Sequence, residues 1–210
     1  MKYRRLILMA ALAATGSAQA AGVGVRAGTT GLGVDFGWDV APTLGGRVGI
    51  SGGQFSTDVD TSEVRYDAKA KLANLNLFLD WSPLGPFRLT GGFIATSNKV
   101  DLNGQPTSGG SGIPAGASLT GTVKPERDFA PYLGVGYGNV WTAGVNFYFD
   151  VGIMFQGTPQ VSLNLDCGTA SAAQCAAAQG QVAAEQQRVQ DEVKRFKYYP
   201  VLNLGITIGF

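Results

Sequence analysis

Seven charged residues stand among glycines and apolar residues: Arg26, Asp35, Asp39, Arg47, Asp80, Arg88 and Asp150. A carboxylate pair can do acid–base work only if both groups reach one proton. Asp35 and Asp39 are four residues apart, which in an extended strand is about 13 Å, too far to share one. The chain has no histidine, which removes an imidazole base and every histidine metal site. Gly22–Gly28 (GVGVRAG) and Gly31–Gly37 (GLGVDFG) echo nucleotide-binding loops, but no helix follows them, so they read as strand glycines. Cys167 and Cys175 are spaced too widely for a CxxC redox pair. In an exported chain they are expected to form a disulfide. Closing that nine-residue loop stabilises by about 2.6 kcal/mol on the chain-entropy account. The expectation is a non-enzymatic protein with no cofactor and no metal.

The composition fits export. Of 210 residues, 31 are glycine and only 15% are charged, against roughly 25% in ordinary soluble domains. The net charge of +1 leaves no basic footprint for nucleic acid. Lys2, Arg4 and Arg5 precede an apolar run, Leu6–Ala14, and the small-residue site Ala18-Gln19-Ala20. This is the layout of a signal peptide over residues 1–20, with 21–210 as one mature domain. No later segment is apolar for the 18 residues a membrane helix needs.

The mature chain alternates with period two. Leu32, Val34, Phe36, Trp38 and Val40 share one face, opposite Gly33, Asp35, Gly37 and Asp39. Val145 to Phe155 repeats the pattern, with Asn146, Tyr148 and Asp150 on the polar face. Leu202, Leu204, Ile206, Ile208 and Phe210 oppose Asn203, Gly205, Thr207 and Gly209. Weaker strands begin near Gly22, Leu44, Ala73, Phe87 and Phe129. The total is eight, several near the 9–11 residues of a membrane strand. Upstream of Ala73 the apolar phase flips to Val64, Tyr66, Ala68 and Leu72. A bulge near Leu72–Ala73, or a polar extension above the membrane, would absorb the slip.

Connections alternate in length. Those at 41–43, 82–86 and 138–142 are short, and those at 53–63, 98–127 and 157–196 are long. Short turns on one side and long loops on the other suit an outer-membrane barrel, as does an even strand count. Trp38, Trp81 and Trp141, with Phe87 and Phe210, fall on the periplasmic rim. Phe55, Tyr66, Phe129, Phe155, Tyr198 and Tyr199 fall near the opposite rim, giving two aromatic belts. Within the last loop, Val182, Val189, Val193 and Phe196 recur on one helical stripe, with Gly180 as a break or start. Asn103–Ser118 is rich in Gly, Ser and Pro and reads as loop.

A soluble barrel with the apolar face inside would have to pack five or six large side chains per strand into a narrow interior. The Gly-rich polar face fits that interior better, although so many inward glycines could leave cavities. Arg26, Asp35, Asp39, Arg47, Asp80, Arg88 and Asp150 then form a lumen network with Asn74, Asn76, Tyr132, Tyr148 and Asn203. Charges in such a place must pair.

The C-terminal YYPVLNLGITIGF, with Leu204, Ile206, Ile208 and Phe210 alternating to a final aromatic, resembles the assembly signal of outer-membrane barrels. With GLGVDFGWDVAPTLGGRVGI, FAPYLGVGYGN and FDVGIMFQGTPQVSL, the chain resembles the small Gram-negative outer-membrane β-barrel proteins, in the size class of OmpA, OmpX and OmpW. The resemblance implies an all-β, eight-stranded antiparallel transmembrane barrel with a partly helical extracellular loop. It implies a monomer in outer-membrane lipid and lipopolysaccharide, assembled by the barrel-assembly machinery and periplasmic chaperones. Enzymes among such barrels resemble one another in placing a His near Ser or Asp, which this chain lacks. A structural or surface-interaction role is expected, with a narrow small-solute channel or a loop-borne adhesin as the alternatives.

Overall fold

A computed structural model describes residues 20–60, 64–106 and 117–210. Residues 1–19 of the predicted signal peptide lie outside them, as do 107–116 of the Gly/Ser/Pro-rich segment. The strands are β1 (Ala21–Gly28), β2 (Gly31–Ala41), β3 (Leu44–Asp60), β4 (Val64–Leu84), β5 (Phe87–Thr96) and β6 (Lys99–Pro106). They continue as β7 (Ser118–Lys124), β8 (Phe129–Tyr137), β9 (Gly144–Met154), β10 (Gln160–Asp166) and β11 (Tyr199–Gly209). One helix, α1 (Ala172–Val193), precedes β11.

Eight strands close an antiparallel ring in the order β1-β2-β3-β4-β5-β8-β9-β11. β11 returns to β1 with Ile208 opposite Val23 and Ile206 opposite Val25. Closure removes the unpaired edges that lipid cannot solvate. The alternation has the expected sense. Val25, Leu32, Ile50, Leu79, Leu133, Phe147, Leu204 and Ile208 all stand on the outer surface. Their neighbours Arg26, Asp35, Arg47, Asp80 and Asp150 are buried within. At the terminal strand, Ile206 is 45% exposed and Thr207 is 0% exposed.

Among the described residues, the long connections are mostly strand and helix. β3 and β4 have 17 and 21 residues, and their ladder runs unbroken from Leu44–Trp81 to Asp60–Arg65. At about 3.3 Å per residue this hairpin is nearly twice what a membrane crossing needs. There is no bulge at Leu72–Ala73; the slip is absorbed by an extension of the strand above the membrane. β4 pairs with β5 up to Asn74–Thr96, then with β6 from Lys71–Lys99 upward. β6 continues to β7 and β7 to β10, so residues expected as loops within 98–127 and 157–196 extend the sheet outside the membrane. Asn103–Pro106 belongs to β6 rather than to a loop.

β10 is the free edge of that sheet, and free edges invite pairing with other chains. Helix α1 covers it. Gln190 Oε1 accepts from the Val161 N–H at 3.0 Å and Gln186 Oε1 from the Leu163 N–H at 3.1 Å, while Gln190 Nε2 donates to Pro159 O at 2.7 Å. Four helical residues rise about 6.0 Å and two strand residues about 6.6 Å, so the i, i+4 glutamines match alternate N–H groups. The helix starts at a Ser171–Gln174 capping box. It runs through Gly180, which neither breaks nor starts it. Val182 is buried and Val189 and Val193 are half-buried, but Phe196 lies beyond the helix and is exposed. The Cys167–Cys175 disulfide ties the end of β10 to the first turns of α1.

Ile206→Arg, which places a cation on the lipid face, should cost about 2–4 kcal/mol of folding free energy in vesicles. Thr207→Val loses the hydroxyl that donates to Val140 O and Val23 O and should cost about 1 kcal/mol. Urea titration of the refolded protein measures both, and a reversed order means that the faces are swapped. Amide exchange checks the edge cap: Gln186→Ala with Gln190→Ala should speed exchange at Val161 and Leu163 about five- to tenfold. Ser162 should be unaffected.

Candidate functional site

The lumen residues converge from six strands. Arg47 on β3 is the hub. Its Nε donates to Asp80 Oδ2 at 2.9 Å, and its Nη1 and Nη2 donate to the two Asp150 oxygens at 2.8 and 3.0 Å. Asp35 lies 4.0 Å from Arg47 Nη1, is 3.4 Å from Arg26 Nε, and accepts from the Tyr148 hydroxyl at 2.6 Å. Arg88 reaches both Asp150 and Asp80, and Thr90 donates to Asp80 at 2.5 Å. The carboxamide of Asn76 rests against the Arg26 guanidinium. Three arginines thus face three aspartates, so the cluster is neutral as a unit. The six side chains are 0–1% exposed.

Asp39, which the sequence places in this network, stands outside it. It is half-buried and makes no ion pair among the described residues. Its position at the last turn of β2 lifts it out of reach, as the strand length between Asp35 and Asp39 requires.

Several inward glycines are seats for aromatic rings, and others, such as Gly49 and Gly136, for the charged groups. A Cβ at Gly24 or Gly205 would run into the Tyr148 ring, and one at Gly134 or Gly152 into Tyr132. Trp141 behaves likewise. It is not on the outer aromatic girdle with Trp38 and Trp81; its indole lies where a side chain of Gly45 would be, inside the periplasmic mouth, and Val140 takes the place beside Gly37. The whole β8–β9 turn folds inward with it. Val140 is fully buried, its carbonyl accepts from Thr207 Oγ1 at 2.7 Å, Asn139 Oδ1 accepts from Ser82 at 3.1 Å, and the Gly138 carbonyl accepts from Arg88. This turn is a plug. The inward face of the C-terminal strand therefore holds the plug, while Leu204, Ile206, Ile208 and Phe210 face outward.

The other lumen filling is apolar. Phe78, Ile94, Ala130, Tyr132, Met154 and Val201 form one buried cluster, with Tyr199 packed on it. Tyr199 was expected on the outer belt. It points inward instead and donates to Thr29 O at 2.7 Å, while its neighbour Tyr198 remains outside against Phe155. The apolar and ionic parts meet where the Arg47 guanidinium lies 5.0 Å from the Phe78 ring centroid. Strand parity alone could have found Phe78 and Ile94, since they share a face with Asp80 and Thr90.

No protein-family model matches the sequence, and no curated protein matches it. Solved structures do. CarO2 of Acinetobacter baumannii aligns with a TM-score of 0.61 and 21% identity, covering 92% of this chain and 100% of that one. CarO of the same organism aligns at 0.63 and 23%, covering 90% and 97%. At such identities the likeness is one of fold. The chain has the fold of the small outer-membrane β-barrel proteins, with eight strands in its ring.

Arg47→Met removes the hub and leaves three buried aspartates facing two arginines. It should destabilise the barrel by about 3–5 kcal/mol, read as a lower urea midpoint in detergent or lipid. A loss under about 1 kcal/mol, the scale of an exposed pair, would show that water reaches the network.

Proposed function

We propose that this chain is a closed, non-enzymatic, monomeric barrel of the outer membrane, delivered by a cleaved signal peptide. Its role is structural or is a surface interaction carried by the sheet and helix above the membrane. One observation supports the closed state above all: three arginines and three aspartates fill the lumen at 0–1% exposure. A solute path would have to break those pairs, and each charge left unpaired in a dry interior costs several kcal/mol. The plug around Val140 and Trp141 adds a second barrier below. The absence of histidine supports the non-enzymatic reading.

The refolded mature protein in planar bilayers should show no stable conductance steps. Trp141→Ala should stay closed too, because the ionic layer spans the lumen independently of the plug. Reproducible steps from the unaltered protein would overturn the closed reading in favour of a narrow solute channel. A chain with 157–196 replaced by a short Gly/Ser link separates the two remaining roles. It should still show an SDS-resistant, heat-modifiable band, and cells carrying it should lose surface binding if the loops carry the function.

A further inference from the structure

The place where β4 leaves β5 for β6 is a wedge in the wall of the barrel. It opens a cleft of about 740 Å³ on the outer surface. The outward side chains of its lower lining, Ala73, Leu75 and Ala95, are apolar, with Ser97 and Asn98 at the fork above them. Leu75 and Ala95 are cross-strand partners, and one rung down are Leu77 and Phe93, which face lipid. Its upper lining carries Lys99 and Lys124. The cleft therefore changes from apolar to cationic at the height where the membrane face ends.

The cations are not cancelled locally. Asp101 takes Lys71 at 2.9 Å and Lys99 at 3.5 Å, one carboxylate for two ammonium groups. The Lys71 hydrogen bond holds the Asp101 carboxyl below the usual carboxylate range. It therefore stays ionised, and the trio keeps one net positive charge. Lys124 makes no ion pair among the described residues, although Asp128 lies on the same cleft. Long amine side chains above an apolar floor can snorkel to headgroup height, and basic pockets at a membrane boundary take anionic headgroups.

We propose that this fork binds one phosphorylated glycolipid of the outer leaflet. A phosphate sits on Lys99 and Lys124 through charge-assisted hydrogen bonds, and an acyl chain runs down past Leu75, Ala95 and Phe93. The occupant follows from the two halves of the cleft. A soluble anion would leave the apolar floor wet, and a neutral lipid would leave the lysines unused.

The test uses the refolded protein in phosphatidylcholine nanodiscs carrying a minor fraction of lipid A, with retained lipid counted by native mass spectrometry in mild detergent. One lipid A per barrel is expected. Lys99→Gln with Lys124→Gln should lower its retention about fivefold, two exposed contacts' worth, with the heat-modifiable band intact. Lys194→Gln with Lys197→Gln, at the end of α1, should change nothing. If the double variant does not fold, Lys124→Gln alone serves, since that side chain is exposed and unpaired. Undiminished retention in the variant overturns the site. So does equal retention of dephosphorylated lipid A, or of phosphatidylglycerol in its place.

Discussion

A ring of eight strands encloses a space too narrow for an open aqueous channel and too polar, in this sequence, to be left to itself. Charges in that space are tolerable only in balanced, hydrogen-bonded sets. Three arginines on β1, β3 and β5 meet three aspartates on β2, β4 and β9. Each such contact joins strands that are not always ladder neighbours; Arg47 to Asp150 links β3 to β9 across the lumen. The network therefore fixes the roundness of the barrel as well as its interior. The glycines follow from it. The phenol rings of Tyr148 and Tyr132 can lie along the inner wall only where nearby strand positions carry no side chain, and Gly24, Gly205, Gly134 and Gly152 supply those places, as Gly33 and Gly136 do for the Arg26 and Arg88 guanidinium groups.

The same restriction explains the plug. A periplasmic turn of ordinary polarity has no reason to enter a barrel. This one carries Val140 and Trp141, and the inward face beneath it is bare at Gly22, Gly37 and Gly45. Burying an indole there removes a large apolar surface from water, and Thr207, Ser82 and Arg88 take up the polar groups of the turn. The extracellular end is closed by other means, the apolar cluster around Ile94, Met154 and Val201.

How much of this was legible in the sequence depends on what each feature needs. The ring needs only alternation, and the segments from Leu32, Val145 and Leu202 carry it openly. The lumen charges share the parity of the polar face, so their common location could be read, though not which of them pair. Asp39 shows the limit: parity placed it correctly on the inner face, but height along the barrel decides contact, and parity is blind to height. Trp141 was misread because aromatic residues near a rim look alike whether they point to lipid or into the mouth; the deciding signal was the glycines on strands far away in sequence. β6, β7 and β10 were hidden because seven- or eight-residue strands outside lipid need no strong alternation, and only the ladder that runs from the upper half of β4 to β6, then β7, then β10 makes them strands.

The molecule thus rests on two kinds of stabilisation that meet at one point. Inside the membrane, closure pairs the backbone strand to strand around the ring, and the apolar exterior needs no partner. Outside it, the sheet is open, so it must end its own edge, and it does so with two glutamines, a capped helix and a disulfide. None of these would be needed if β4 stopped at the membrane boundary. Its extra turns of strand force β5 and β6 to share it, one below and one above. That sharing interrupts the strand-to-strand pairing of β4 between Asn74 and Lys71, where Ala73 bonds instead to Ser97 and the Asn98 side chain. A cleft at the fork is therefore a geometric consequence of mounting an open sheet on a closed one. The side chains placed there, apolar below and cationic above, match the boundary it straddles.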